Sequence, residues 1–577
     1  MEKRVLLAVL LSFVVLYGYQ AMFPPPEPAI PAKTASAPPA SDAAGATQPP
    51  ATTPGAAGAA EPLETPAAAA PTVAASAAQD IVVESEAVRA TFTTRGGALK
   101  SWRLKHYLDA NGEPLDLVPS RAPQGSVLPF TLGAEDPATA STLRNALFKP
   151  SADSVTVSGG EAVLSFEYRD ASGLNARKEF TFNADKPYIV GFTATIDHNG
   201  SPVAPIVHWG PGLGTGEVIG GMTYGPAPQP LFARGGDVSR VAITAVAEQR
   251  VQEGNFEFAG IDDHYFMSAL LNPQSVRVEY DPIQIPVEGT KGLQFVAWNV
   301  RFPASPATAR FFVGPKDFEE LKAESPQLTH AIDFGMFRWL VVPLLNALKW
   351  VHGYLGNYGW SIIALTILIN LAMFPLRHKS VVSMRRMQEL QPEVKAIQDR
   401  YSKLKLNDPA RQKMNVELMN LYRERGVNPA SGCVPMLLTF PVLFAFYAML
   451  SVAIEIRGAP FVGWIKDLSI HDPLFIWPII MAITMVVQQK MTPQAMSDPV
   501  QQKMMMLMPL VFSIMLAWAP SGLVLYWTAS NIWTIGQQAV TNRLIGPPPQ
   551  HTVRPPAERR LKTAGSGKSS QAARERK

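Results

Sequence analysis

Sulfur chemistry is nearly absent from this chain, with a single cysteine, Cys433, among 577 residues. One cysteine excludes an intrachain disulfide, so a domain outside the cytoplasm must be held by its own core. Nine scattered histidines offer no ligand spacing of the kind that holds zinc, and a lone cysteine in an apolar segment reads as a small buried residue. Charge is also scarce. Asp, Glu, Lys and Arg make up 17% of the chain against 47% hydrophobic residues, where a soluble domain carries about 25% charged residues. Lys and Arg outnumber Asp and Glu by only 51 to 47, too small an excess to imply nucleic acid. Catalytic patterns are missing as well: there is no HExxH, no GxSxG and no phosphate-cradling glycine loop in the right context. The glycines at Gly210, Gly212, Gly214, Gly216, Gly220 and Gly221 read as bends.

Long apolar runs, by contrast, are plentiful. Val5–Phe23 is long enough to span a bilayer, which takes about 20 residues. Lys3 and Arg4 precede it, which keeps the N-terminus in the cytoplasm and sends the next segment across the membrane. It exceeds the apolar region of a signal peptide and runs into Pro24-Pro25-Pro26 without a clear cleavage site, so residues 1–23 read as an uncleaved anchor, with a cleaved signal peptide as the competing reading. Residues 24–79 are Ala, Pro, Thr and Ser with few large apolar side chains, a composition that cannot fold and makes a semi-stiff tether. Residues 80–330 read as β: alternating segments such as Val88–Phe92, Ala162–Tyr168, Phe180–Phe182, Ile189–Ile196, Val276–Tyr280, Leu293–Val300 and Ala309–Val313 are separated by turn residues, the pattern of a large antiparallel sandwich. Lys316–Ala323 reads as a short closing helix.

Residues 334–355 are apolar with Arg338, Trp339, Lys349, Trp350 and His352 as punctuation, which fits an amphipathic helix lying in the membrane interface. Five apolar segments come next, at about Tyr358–Leu376, Gly432–Ala453, Pro473–Gln489, Met504–Trp518 and Ser521–Val540. Lys and Arg crowd between the first and second of these, from Arg377 to Arg425, and again in the 544–577 tail. The Ile454–Asp472 loop is charge-balanced, and the next carries Lys490 and Lys503. Six spans with both termini in the cytoplasm satisfy all of these. Between Ser380 and Gly426, apolar residues recur at helical spacing on either side of Asn407-Asp408-Pro409, the pattern of a cytoplasmic helical hairpin; the plainer reading is a solvated charged loop. The fold class expected is therefore a polytopic α-helical membrane protein of six spans with a large extracytoplasmic β-sandwich domain and a cytoplasmic helical hairpin.

The spans hold no Asp, and Glu only as Glu455 at a rim. They do hold neutral polarity: Thr366 and Asn370 on one helix face, then Thr439, Gln488, Gln489 and Ser513, and a run along the last span of Tyr526, Thr528, Ser530, Asn531, Thr534, Gln537 and Gln538. Uncompensated polar groups are costly in hydrocarbon and face the bundle or a wet cavity. For any one of them, interhelical hydrogen bonding is the plainer account. Their number favours a hydrated groove that could receive polar parts of a passing polypeptide. Methionines, among them Met384, Met387 and Met414, gather on the cytoplasmic side, where flexible thioethers adapt to varied partners or simply pack helices.

At Gly356-Asn357-Tyr358-Gly359-Trp360-Ser361, Met373-Phe374-Pro375-Leu376, Leu390-Gln391-Pro392, Val427-Asn428-Pro429, Asp498-Pro499 and Pro520-Ser521-Gly522-Leu523-Val524-Leu525-Tyr526-Trp527 with Ser530-Asn531, the chain resembles the YidC family of membrane-protein insertases in its Gram-negative form. Thr94-Arg95-Gly96-Gly97 carries a weaker likeness in the β region. The resemblance implies a periplasmic β-supersandwich at 80–330, an interfacial helix at 334–355 and a five-helix insertase core at 356–543 that includes the hairpin at 380–426. It implies a substrate groove, for which the candidates here are Thr366, Asn370, Thr439, Ser513, Tyr526, Trp527, Ser530 and Asn531, and hairpin contacts at Met384, Met387, Met414 and Leu418. It further implies an inner-membrane location, nascent membrane proteins as substrates, the Sec translocon and ribosomes or targeting factors as partners, and no enzyme activity, nucleotide or cofactor.

One departure stands out. The family's groove carries an arginine on the first core span, and in register with Ser361 and Pro375 that position is Asn370. Arg377 lies seven residues on, about 10 Å along a helix, and is expected near the cytoplasmic rim. The expectation is a groove without a buried cation, depending more on hydrogen bonds. A transporter is the main rival reading, though it would offer ionisable residues at depth or an internal repeat; a periplasmic assembly chaperone is the second.

Overall fold

The computed structural model describes residues 70–109, 111–120, 125–214, 228–285, 293–401, 410–427, 434–491 and 499–545. They divide into a β unit that ends at Gly335 and includes Leu450–Ala459, and a helical unit made of the remainder from Met336 onward. The N-terminal anchor, most of the Pro/Ala tether, Cys433 and the Asn407–Pro409 turn lie outside the described residues, as do Gly216, Gly220, Gly221 and the tail beyond Ile545.

In the β unit the described strands form sheets of eleven, five and five. The largest runs from Pro71–Val73 at one edge through Glu161–Asp170, Leu174–Asn183, Lys186–His198, Ala307–Pro315, Phe266–Leu271, Phe258–Asp262 and Gln229–Arg234 to Asp237–Arg240. Pairing is antiparallel except between Asp80–Glu84 and Ser154–Thr156. Strict alternation makes these strands: in Lys186–His198, Tyr188, Val190, Phe192, Ala194 and Ile196 point inward while their neighbours are half-exposed. The core gathers around Phe130, whose ring lies 5.1 Å from Phe180, 5.2 Å from Trp209 and 5.0 Å from Phe311.

Lys178 occupies an inward position of Leu174–Asn183 and is fully buried. Its Nζ donates to the carbonyls of Gly96 (2.5 Å), Gly97 (2.5 Å) and Phe130 (2.8 Å). This gives the Thr94-Arg95-Gly96-Gly97 motif a physical role. Gly96 and Gly97 turn through positive φ (+66° and +51°), a region that costs any residue with a Cβ, and the turn aims its carbonyls at a buried ammonium. Burial holds that ammonium below the usual lysine range.

Three expectations change in this unit. Pro71–Val73, expected within the tether, is an edge strand on Glu161–Asp170. Ala98–Leu108, at eleven residues, is a strand that its Lys, Arg and His disguise. The first helix among the described residues, α1 (Pro137–Asn145), was not expected; Asp136 caps it by accepting from Thr139 N. The closing helix α2 is Phe318–Glu324, with Asp317 accepting from Glu319 and Glu320 N, slightly later than Lys316–Ala323. Gly212 and Gly214 do sit in bends of positive φ.

The helical unit contains α3 (Arg338–Leu355), α4 (Tyr358–Glu389), α5 (Gln391–Arg400), α6 (Ala410–Glu424), α7 (Val434–Val452) up to Met449, α8 (Ile476–Met491), α9 (Pro499–Met515) and α10 (Ser521–Ile545). On α3, Val341, Leu344, Leu345, Leu348 and Val351 are buried while Trp339, Trp350 and Tyr354 are exposed, as an amphipathic helix requires. Among the described residues, α4 is the one helix long and apolar enough to cross a membrane; shorter apolar stretches run over Phe440–Val452, Ile476–Met491 and Met506–Met515.

The hairpin boundary expected at Ser380 is corrected. The chain continues as one helix to Glu389, so Met384 and Met387 lie on α4. The break falls at Leu390, where Pro392 enters the first turn of α5; proline lacks the N–H that would bond one turn back and clashes with the carbonyl there. Beyond the break, α5 and α6 pack together through Leu390, Val394 and Val427, with Met387, Leu418, Leu421 and Tyr422 around them. Ion pairs Arg400–Glu417 (2.6 Å) and Arg425–Glu393 (2.8 Å) flank this cluster.

Candidate functional site

The polar residues of α4 follow a helical face. Asn357 caps the helix, its Oδ1 accepting from Trp360 N at 3.2 Å. Thr366 and Asn370 are buried, and each first satisfies itself locally: Thr366 Oγ1 donates to Ile362 O at 2.6 Å and Asn370 Nδ2 donates to Thr366 O at 2.8 Å. Bonding back to the preceding turn is how short polar side chains persist in an apolar helix. Asn370 Oδ1 is then left to accept, and it accepts from Arg377 Nη1 at 2.8 Å.

Arg377 therefore corrects the expectation of a groove without a cation. Its Cα is seven residues along, yet its guanidinium reaches back to the level of Asn370. Side chains on a helix lean toward its N-terminus, and positions seven apart share a face, so a long arginine stem directed up the helix covers the distance. The same Nη1 donates to Thr534 Oγ1 on α10 at 3.1 Å, and Thr534 donates to Ser530 O at 2.8 Å. Both side-chain partners of the guanidinium are neutral, and among the described residues no carboxylate pairs with it.

The seam continues along both helices. His378 Nδ1 lies 3.4 Å from Thr541 Oγ1, Arg385 Nη2 donates to Asn542 Oδ1 at 3.2 Å, and Gln538 Nε2 donates to the same oxygen at 3.0 Å. Sequence reasoning missed this pairing. The available signal was the near-heptad recurrence of polar residues at Asn370, Arg377 and Arg385 on one helix and Thr534 and Thr541 on the other.

The remaining expected groove residues go to other neighbours. Tyr526 stacks on Phe446 of α7, with centroids 4.3 Å apart. Trp527 packs on Phe512 of α9 at 4.8 Å. Asn531 Nδ2 donates to Thr484 Oγ1 of α8 at 3.2 Å, and Ser513 Oγ on α9 is 3.7 Å from Met485 Sδ. The structure thus joins Thr366, Asn370 and the backbone of Ser530 through Arg377 and Thr534, while Ser513, Trp527 and Asn531 stitch α8, α9 and α10. Thr439 lies on α7, its side chain outside those described. Of the expected hairpin contacts, Met387 and Leu418 meet in one cluster; Met384 and Met414 are half-buried elsewhere on α4 and α6.

A loop covers the starts of α4 and α10. Asn357 Nδ2 donates to Pro460 O at 2.9 Å, Ser521 N donates to Ile470 O at 2.7 Å and Gly522 N donates to Leu468 O at 2.9 Å. Gly359 lies so close to Phe461 that a Cβ there would fall 2.1 Å from the ring. Buried Asp472 fixes the loop by accepting from Trp464 Nε1 (2.8 Å), Leu474 N (3.0 Å) and Trp477 N (2.8 Å).

Residues 350–547 match the family described as 60Kd inner membrane protein, and residues 80–347 match the YidC periplasmic domain. The membrane protein insertase YidC of Geobacter metallireducens is 38% identical over 94% of this chain and 99% of its own length. Those of Geotalea daltonii and Cupriavidus necator are each 35% identical over 94% of this chain, covering 100% and 98% of their own. Among solved structures, an active YidC insertase with its first transmembrane domain resolved aligns over 82% of this chain and 95% of its own at 18% identity, with a TM-score of 0.33.

Proposed function

Because the chain belongs to the YidC family of membrane protein insertases, an inner-membrane family with a periplasmic domain, we propose that the α4–α10 seam around Arg377 is the route by which it lowers the barrier to inserting a polypeptide. The observation that carries this reading is the hydrogen-bonded chain from Asn370 through Arg377 to Thr534 inside the helical bundle. Burying a cation within a membrane span costs up to about 2.5–3.5 kcal/mol on insertion scales. An apolar side chain at this position would avoid that cost. A positive charge held by neutral partners is instead poised for an anionic group, and the Thr534 hydroxyl and the Asn370 amide beside it offer hydrogen bonds to a segment that has left water.

The same reading assigns six spans: Val5–Phe23 and the five apolar segments. Both termini and the α5–α6 pair are cytoplasmic, the β unit is periplasmic, and α3 lies in the interface. The Lys and Arg excess between Arg377 and Arg425 and in the tail supports this orientation and makes that face the docking side for ribosomes or targeting factors. In this reading the chain works alone or beside the Sec translocon. Photocrosslinking from Thr366, Asn370 and Tyr526 to nascent membrane proteins, after depletion of the native protein, tests the route. Crosslinks at Thr366 and Asn370 are expected; none at all three positions would defeat the reading.

A further inference from the structure

On α10 the buried polar side chains are nearly all satisfied. Thr528 Oγ1 donates to Val524 O, Thr534 to Ser530 O, Asn531 to Thr484 and Gln538 to Asn542. Gln537 is the exception. It is 6% exposed, and both its Nε2 and its Oε1 are buried with no hydrogen-bond partner among the described residues. One turn earlier on the same face, Trp533 Nε1 is likewise buried and has no partner among the described residues. A buried amide left open at both ends opposes folding, and rules of local satisfaction are broken at functional sites more than elsewhere.

We infer that Gln537 and Trp533 form a binding site for a main-chain peptide group of the polypeptide under insertion. The chemistry is complementary. A carboxamide presents an acceptor and donors side by side, and a peptide group presents a donor and an acceptor in the same plane. The indole N–H adds a second donor for the same carbonyl. Backbone groups not yet closed into a helix are the costly part of any segment entering hydrocarbon, and a site that pairs with them lowers that cost whatever the side chains are. Gln537 sits one turn from Thr534, which holds Arg377, so one stretch of α10 presents a reader of charge and a reader of backbone. Closed in the resting bundle, the pair meets a segment that enters between the helices. This inference rests on the seam being the insertion route.

The test measures insertion of two substrates, one with an acidic translocated segment and one neutral, by full-length Gln537→Leu, Trp533→Phe and Arg377→Leu variants, alongside thermal stability. Gln537→Leu should slow both substrates about tenfold, equivalent to ~1.4 kcal/mol, with unfolding temperature unchanged or raised because two orphaned atoms are removed. Trp533→Phe should slow both by a smaller factor. A Gln537→Leu rate within twofold of the native chain overturns the inference. So does a drop in unfolding temperature with insertion falling only in step with folded protein, which would mark a structural amide or a resident water. If Arg377→Leu is impaired while Gln537→Leu is not, only this inference fails; native rates in both defeat the route as well.

Discussion

If Asn370 acts by holding the Arg377 guanidinium in place, removing it should matter only while the guanidinium is there. Asn370→Ala deletes one hydrogen bond of 2.8 Å to a cation and leaves Thr534, at 3.1 Å, as the remaining side-chain acceptor. A hydrogen bond to a charged group contributes about 1.5–3 kcal/mol, so if the route depends on that placement, insertion should fall roughly 10- to 100-fold. Arg377→Leu removes the charge and both bonds and should lose at least as much, most of all for a substrate with acidic residues in its translocated segment. In the Arg377→Leu background, Asn370→Ala should add little, a coupling energy close to the whole single-mutant effect. The assay is a double-mutant cycle on insertion after depletion of the native protein, scored by protease accessibility of acidic and neutral substrates. Additive losses would refute the positioning role of Asn370. Equal losses on acidic and neutral substrates would refute the charge argument.

Three further outcomes are set by the geometry. Gly359→Ala would push a Cβ to 2.1 Å from the Phe461 ring, and overpacking of this kind costs about 1–3 kcal/mol; the thermal midpoint should drop, and Phe461→Ala in the same chain should recover part of it. Lys178→Met would strip the donor from the carbonyls of Gly96, Gly97 and Phe130. With a buried orphan worth ~1–3 kcal/mol each and relief from burying the ammonium as a partial offset, a net loss of about 3 kcal/mol should appear in chemical unfolding of the β unit, and an unchanged midpoint would mean the carbonyls had found other donors. Burial, with Arg144 nearby, depresses the His208 imidazole from 6.5 to about 4. The unfolded chain then binds more protons than the folded one between those values, so stability is full above about pH 6.5 and declines as pH falls toward 4, by up to ~3 kcal/mol; His208→Gln should flatten that part of the unfolding-versus-pH curve.

The β domain was legible wherever one face is greasy and the other polar. Leu174–Asn183 and Lys186–His198 alternate without interruption, and their neighbours in the sheet follow from that. Ala98–Leu108 was not legible, because Lys100, Arg103, Lys105 and His106 hide the inward set that includes Trp102 and Leu104. Pro71–Val73 has the composition of a tether, and becomes a strand only because Asp170 and Arg169 lie opposite. In the helical unit, the apolar segments announced themselves, but the extension of α4 past Ser380 did not. Nothing between Leu376 and Glu389 stops a helix, and the charge run there obscured the continuity that lasts until Pro392.

Hydropathy and charge act locally, residue against lipid or loop against membrane potential, and so a linear reading was enough for membrane residence, the basic face and the polar character of α4 and α10. The resemblance to the family, in turn, marked Asn370 as the place where a cation was missing. What the linear reading could not decide was where the neighbouring cation's head would go. Arg377 starts near the rim by backbone position, and only the approach of Thr534, 157 residues away in sequence, together with an amide oxygen left open on Asn370, draws the guanidinium back into the seam. The position of a flexible side chain is set by whichever partners the fold brings within hydrogen-bond reach, and those partners exist only once α4 and α10 are packed.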